Sequence, residues 1–465
     1  MNIKVNDKSK KKGKKKKPIH QKRQSCRKKQ REFGGRQLAL QILLTLRRHF
    51  PILLDELSCL KDYRKSPEYE VKELLMACIS MFIFKRGSRN AMNNSSRKGL
   101  FCKNYQKIFG LKLPHMDTVD IFLETLSNED LEQIKKKMIQ LLLEKKTLQN
   151  FKLAGHYMVA VDGTVISVYD YEPYPGCPYK EYKSEKKVWM IPVLEAKIVC
   201  SNGFSLSIET EWVSNTGNYE KQDCEQKAFT RLAEKLKKSF PRLPICIAAD
   251  GLYPNQTTFE ICHNNNWNFI ITLKDGNLKT VWEDINFELL IAKDNTLRKI
   301  IKDTVQEKII QNYRFLNDLT YHDFELNWIE CIERVIKKNK EEKCRFVHIT
   351  NMKIDKGNVA SLSHHGRLRW NIENEGFNSQ KNHGYNLEHK YARLNFNARK
   401  NYYQCLQIAH IINQLAVKAQ NFNFLIDNKD TLCSLWECLL SFMLAGYINQ
   451  HEVECVLSSN CQMRY

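Results

Sequence analysis

Two periodicities divide the chain. From Gly35 to about Leu148 the apolar residues recur at helical spacing, as in Leu38, Leu40, Ile42 and Leu43 and again in Val119, Ile121, Phe122 and Leu126, so this stretch predicts helices and almost no strands. Helix starts fall at Ser66-Pro67 and at Ser127-Asn128-Glu129-Asp130, where a capping residue precedes a proline or acidic first turn. Around Tyr157 the pattern changes to strand-length runs, YMVAVDGT, VISVYD, WMIPVLEAKIVC and FSLSIETEWV, separated by Gly, Asn and Pro; these predict an antiparallel meander. A helical run over 221–238, an apolar strand over 245–249, a helix near Phe259 and a strand over 268–272 follow. Strands alternating with helices imply an α/β layer fold. Further strand runs, FELNWIECIERV and RFVHIT among them, fill the block 274–351 before helices return from Arg367, so that block predicts a β-rich insertion.

The predicted units are a disordered basic arm over 1–32, an all-helical DNA-binding domain over 33–150, an α/β core made of 151–273 and 352–420, the insertion over 274–351, and a C-terminal helical segment over 421–465. The arm carries Lys10, Lys11, Lys12 and Lys14 to Lys17 with almost no large apolar side chain, a composition that cannot bury a core and suits a phosphate-contacting or solubilising tail. In the helical region Lys85, Arg86, Arg89, Arg97 and Lys98 surround Gly87 and Asn90 in a polar connection. That makes Arg86 and Arg89 candidates for DNA-backbone contact, against the plainer reading of a solvated loop.

Charge sharpens the choice of partner. The 465 residues hold 74 Lys and Arg against 52 Asp and Glu, a net +22 that favours a polyanion, nucleic acid first. The apolar stretches, such as 74–84, fall short of the roughly 20 residues that span a bilayer, so no membrane partner is expected. No secretory signal follows the charged opening, and a cytoplasmic, nucleoid-associated protein of prokaryotic type is the expectation. The 16 cysteines then read as reduced thiols. Cys433 with Cys438, or Cys455 with Cys461, are spaced too loosely for a zinc site.

Two carboxylates stand where strands are predicted to end: Asp162 in VAVDGT and Asp250 in ICIAADG, each followed by Gly. Either Asp-Gly alone is explained as a turn pair. If the two strands are neighbours, however, the carboxylates converge, and like charges held that close call for a cation or a proton. A third acid comes from RLRWNIENEGFNSQK, in which helical spacing puts Arg369, Glu373 and Phe377 on one face. Taken alone, Arg369 and Glu373 are an ordinary i,i+4 pair worth about a few tenths of a kcal/mol.

The order VDGT, AADG, then RWNIENEGFNSQK followed by GYNLEHKYARLNFNARKNYYQ resembles the DDE transposases of the insertion-sequence-four type. The resemblance covers roughly 157–418 and is specific in three segments. It implies a ribonuclease-H-like mixed sheet flanked by helices, with a β-strand insertion before the Glu helix and the all-α N-terminal domain in front. By analogy Asp162, Asp250 and Glu373 are the catalytic and metal-binding acids, 88 positions apart (162 to 250) and 123 apart (250 to 373). The family signature around the Glu is Tyr, two residues, Arg, three residues, Glu, six residues, Lys. Arg369 and Glu373 keep it, whereas Gly366 stands at the Tyr position and Gln380 at the Lys position, with Lys381 one residue on; Glu375 is the second choice for the acid.

The resemblance implies an enzyme that cuts double-stranded DNA at transposon terminal inverted repeats and joins the ends to target DNA, as a homodimer, with two divalent ions, Mg²⁺ or Mn²⁺, held by the three acids. Arg369 and Lys381 would contact phosphates. Trp328 would stack on an unpaired base if it is not core. The rival expectations are a ribonuclease-H-like nuclease that does not join strands, and a non-catalytic DNA-binding protein derived from a transposase.

Overall fold

The computed structural model describes residues 19–183, 186–215, 222–304, 306–337, 340–423, 431–460 and 462–465. Its first part is helical, with α1 (Ile19–His49), α2 (Leu53–Ser58), α3 (Val71–Ile83), α4 (Arg89–Ser96), α5 (Phe101–Phe109), α6 (Met116–Thr125) and α7 (Asn128–Glu144). Helix α1 opens inside the arm expected to lack structure. Residues 21–32 contain neither Pro nor Gly and are rich in Lys, Arg and Gln, good helix formers that can extend a helix already anchored by Leu38, Ile42 and Leu43. The rest of that arm, 1–18, lies outside the described residues.

The buried side chains of these helices belong to one hydrophobic cluster with those of the sheet and the later helices. Helix α3 is apolar on every side, from Leu74 through Ile83, and a helix of that kind must be surrounded. Its cover includes a helix more than 300 positions further along the chain.

Ten strands form one mixed sheet: β1 (Tyr157–Tyr169), β2 (Tyr179–Glu181), β3 (Lys187–Val199), β4 (Ser205–Trp212), β5 (Ile245–Ala249), β6 (Asn268–Thr272), β7 (Thr296–Asp303), β8 (Glu307–Tyr321), β9 (Phe324–Lys337) and β10 (Lys340–Thr350). Their order is β2-β3-β1-β5-β6-β10-β9-β8-β7, with β4 beside β3. Pairing is antiparallel across β4-β3-β1 and parallel across β1-β5-β6. The runs YMVAVDGT and VISVYD, expected as two strands, are the single strand β1; pairing of Gly163 with Leu194 carries it straight through the Asp-Gly step. The insertion belongs to the same sheet, because β10 pairs with β6 at His348↔Thr272 and Thr350↔Ile270. It opens with a helix, α10 (Lys279–Ile291), that the strand-rich reading omitted.

Helices α8 (Glu225–Ser239), α9 (Gln256–Asn265), α11 (Val359–Arg367), α12 (Ser379–Asn382), α13 (Phe396–Lys418), α14 (Gln420–Asn423), α15 (Leu432–Ala445) and α16 (Gln450–Ser458) complete the chain. Along the central strands, Val159, Val161, Ile247 and Ala249 face one core, with α8 and α9. Met158, Ala160, Cys246 and Ala248 face the other, with α11. Both faces are therefore covered, as the central strands of an α/β sheet require. Helix α13, buried along nearly its whole length, packs on α3, α6, α7, α1 and β4 and joins the N-terminal helices to the sheet. Helix α15 crosses α1 at Gly35, where any Cβ would collide with the Cys438 carbonyl. No helix among the described residues is long and apolar enough to cross a membrane.

Candidate active site

The site begins with strand register. Strands β1 and β5 pair in parallel up to Ala160↔Ala248, and two residues beyond each of these come Asp162 and Asp250. The two acids thus stand at one level at the carboxyl edge of the parallel pair. Only Asp250 ends its own strand; β1 runs on for seven residues past Asp162, which corrects the expectation that both acids mark strand ends. Asp162 follows Met158 and Ala160 in the period-two alternation, so it faces the layer of α11.

Asp250 keeps the turn chemistry that its Asp-Gly pair suggested. Its Oδ1 accepts from the Leu252 amide at 2.8 Å, and Lys274 Nζ lies 3.4 Å from Oδ2. Gly251 leaves the Lys274 stem its path, since a Cβ there would stand 2.6 Å from the Lys274 Cδ.

Glu373 arrives from the opposite layer. Beyond α11 the chain forms a π-helical stretch, Ile372–Asn378, instead of the expected regular helix. The wider turn presses Gly376 onto β3 and β4, where a Cβ would lie 3.0 Å from Ser205 Oγ; π-helical turns of this kind recur at functional sites. Arg369 and Glu373 keep their expected contact, with Nη1 2.6 Å from Oε1, and the same Nη1 lies 3.7 Å from Asp162 Oδ2. Arg369 is 8% exposed, and its Nε has no hydrogen-bond partner. One buried guanidinium therefore links the first and third acids.

Burial pushes the Asp162 carboxyl up to about 7, and the Glu373 carboxylate pushes in the same direction; Arg369 opposes them and Glu225 adds to them. Glu225 is a fourth acid that the sequence reading passed over. It opens α8, and an acid in a first helical turn reads as an ordinary dipole partner. Its Oε1 accepts from Tyr253 Oη at 2.7 Å, while Gly163 is bare where a Cβ would meet Oε2 at 2.7 Å. Burial raises the Glu225 carboxyl, Tyr253 lowers it and Asp250 raises it. The carboxyl edge thus concentrates negative charge that Arg369 and Lys274 offset only in part. Among the described residues, no group of three or more His, Cys, Asp or Glu side chains is arranged to hold a metal ion.

Of the two signature positions that this chain does not keep, both prove structural. Gly366 admits His348, whose Cδ2 would lie 2.7 Å from a Cβ. Gln380 is fully buried and donates to Gln407 Oε1 at 2.9 Å, with His410 Nδ1 3.1 Å away. Lys381 is half-buried and paired with Glu388 at 2.9 Å. Glu375, the second choice, lies toward Lys418, 3.6 Å away, and is not part of the Asp162 group.

Three expected DNA contacts are occupied elsewhere. Trp328 is 0% exposed and packs edge-on to Trp282, so it is a core residue. Arg86 donates through Nε and Nη2 to the Ala91 carbonyl, 3.2 Å each, and braces the start of α4. Arg89 is bound to Asp120, with Asp117 3.7 Å away. In each case the local partner was out of reach of sequence spacing alone.

No protein-family model and no curated protein matches the chain.

Proposed function

We propose that the chain is a DDE-type DNA transposase, with a ribonuclease-H-like core, that cleaves DNA at the ends of a mobile element and joins those ends to target DNA. One observation carries the reading: Asp162 and Asp250 stand level at the carboxyl edge of a parallel strand pair, and Arg369 ties Glu373 to Asp162 from the opposite helical layer. The mixed sheet, with its β-stranded extension ahead of the Glu segment, supports the same reading. So does the net charge of +22, which suits a DNA partner.

The donor chemistry fits the implied cofactor. Carboxylate oxygens are the hard ligands magnesium and manganese take, and a cation would favour the charged form of Asp162, whose carboxyl burial first and the Glu373 carboxylate second raise to about 7. Asp162, Asp250 and Glu373 would hold two such ions, which supply an activated attacking oxygen and neutralise charge at phosphorus. Glu373 must first leave Arg369. The guanidinium that now hydrogen-bonds Glu373 and stands 3.7 Å from Asp162 can instead clamp a DNA phosphate bidentately, which Lys would do less well. Lys274 then offsets charge at Asp250, and Tyr253 holds Glu225 aside. Cutting two ends in one event requires two copies of the site, and hence a homodimer on the DNA.

A second reading, a DNA-binding protein without catalysis, has one observation in its favour: Arg369 already neutralises Glu373. Strand cleavage and joining on DNA flanking the gene, in Mg²⁺, with Asp162→Ala, Asp250→Ala and Glu373→Ala as comparisons, separates the two. Transposase function requires activity in the wild type and its loss in all three variants; a binding protein shows none in any.

A further inference from the structure

Between α12 and α13 the chain makes a loop, 383–395, whose inner side is pinned at every turn. Leu387 and Tyr391 are buried; Tyr391 Oη donates to the Gly87 carbonyl at 2.7 Å, and its ring stacks on Tyr402. Arg399, itself buried, donates to the Leu387 carbonyl at 3.0 Å and to Ile166 O and Ser167 Oγ of β1 at 2.8 Å each. Asn395 caps α13 by accepting from the Ala398 amide at 2.9 Å. On the outer side stands Leu394, 87% exposed, the most exposed large apolar side chain among the described residues. A single exposed Leu is ordinary on a protein surface. This one sits on an anchored loop, directly after exposed Arg393 and four residues after exposed Lys390; neither cation is in an ion pair among the described residues, and Lys390 Nζ lies 4.5 Å from the centre of the Tyr169 ring.

We infer that Leu394 is a wedge that enters duplex DNA between adjacent base pairs, with Lys390 and Arg393 holding the flanking phosphates. This rests on the proposal that the chain acts on DNA. An aliphatic side chain on a pinned loop, with cations beside it, has the chemistry of side chains that unstack a base step and kink the helix. A loose loop would fold away from that load, whereas Tyr391 and Arg399 transmit it to α13 and β1. The position follows from β1: Arg399, which holds the loop, binds Ile166, and Lys390 of the loop stands over Tyr169, four and seven residues from Asp162. At roughly 3.3 Å per residue that is about 13 to 23 Å, or about four to seven base pairs at 3.4 Å each. The kink is expected that far from the phosphate that is cut.

The test uses the full chain and duplexes from the DNA flanking the gene, with 2-aminopurine placed at successive steps. Wild type should brighten the probe at one step about four to seven base pairs from the cut and bend the duplex. Leu394→Ala should lose both signals and still bind, Leu394→Met should keep them, and Lys390→Ala with Arg393→Ala should lower the salt slope of log K by about 1.8, two phosphates at 0.9 each. Brightening unchanged in Leu394→Ala overturns the wedge while leaving DNA action intact. Leu394→Ala that alters self-association of the free protein, and not the DNA signal, overturns it in favour of a protein contact. Wild type that binds no duplex overturns the DNA reading itself. The exposed position makes all these variants foldable, which matching unfolding midpoints verify.

Discussion

The guanidinium Nη1 of Arg369 stands 2.6 Å from the carboxylate of Glu373 and 3.7 Å from that of Asp162, so one cation serves the third acid and the first. An internal cation thereby competes with any ion that Glu373 and Asp162 would bind. Arg369→Gln removes the competitor, so the DNA-free protein should bind Mn²⁺ about fivefold more tightly, the equivalent of ~1 kcal/mol for a partly screened pair. The same variant should lose strand cleavage, since it has no phosphate clamp. Titration followed by electron paramagnetic resonance checks the first half; equal or weaker Mn²⁺ binding contradicts it.

Asp162 links stability to pH with a definite sign. Its carboxyl is raised from 3.8 to about 7, so the folded chain holds this proton more tightly than the unfolded chain does. The contribution is complete below the unfolded value and is lost as pH rises through about 7. It amounts to roughly 4 kcal/mol at most, from 1.36 kcal/mol per pH unit. Asp162→Asn should flatten the fall in unfolding free energy across this window and make the metal-free protein more stable than wild type above neutrality. Urea unfolding at a series of pH values measures it; parallel profiles for the two proteins would count against the assignment.

Gly366 and His348 share one space. Gly366→Ala gains about 1 kcal/mol of helix propensity but forces a Cβ to within 2.7 Å of the His348 ring, an overpacking that costs about 1 to 3 kcal/mol. The net effect should be a lower unfolding midpoint, relieved in Gly366→Ala with His348→Ala relative to the additive expectation. A purely additive double mutant would place the strain elsewhere.

Gln380 and Lys381 are adjacent yet should respond in opposite ways. Gln380→Lys restores the family signature but puts an ammonium in a site enclosed by Gln407 and His410, and should destabilise the fold by about 3 kcal/mol or more. Lys381→Ala should alter stability by about 0.5 kcal/mol or less while lowering the salt slope of DNA binding by about 0.9. Denaturant unfolding and salt-dependent binding check the pair; a stable Gln380→Lys protein with a steeper salt slope would make 380 the phosphate contact.

What was legible in the sequence follows a physical line. Ile245–Ala249 and Asn268–Thr272 emerge with the bounds expected of them because short apolar runs buried on both faces carry their own limits. The Asp-Gly step at 162 misled because local turn preference was outweighed by pairing with β3, which lies far along the chain. Before Tyr157 the helical character was readable and the start after Ser127 holds, but the start expected at Ser66-Pro67 falls at Val71, where Glu70 and Glu73 form a capping box. Burial of these helices by α13 and α15 was not readable, since periodicity shows that a face is apolar without showing what covers it. At the site, Asp162, Asp250 and the Arg369–Glu373 contact came from order and spacing. Glu225 did not, because its meaning depends on Tyr253 and the bare Gly163. Arg86 and Arg89 were offered to DNA for their place in a basic connection around Gly87, and Trp328 on the resemblance; the structure supplies each with a local partner.

The most direct test of the account is strand cleavage in Mg²⁺ of duplexes carrying the junctions between the gene's flanking DNA and its surroundings, with wild type beside Asp162→Ala, Asp250→Ala and Glu373→Ala at matched folding. Cleavage is expected from wild type and from none of the three variants, Glu373→Ala included, although Glu373 is held by Arg369 in the free protein. Cleavage that survives in any one of them would contradict it.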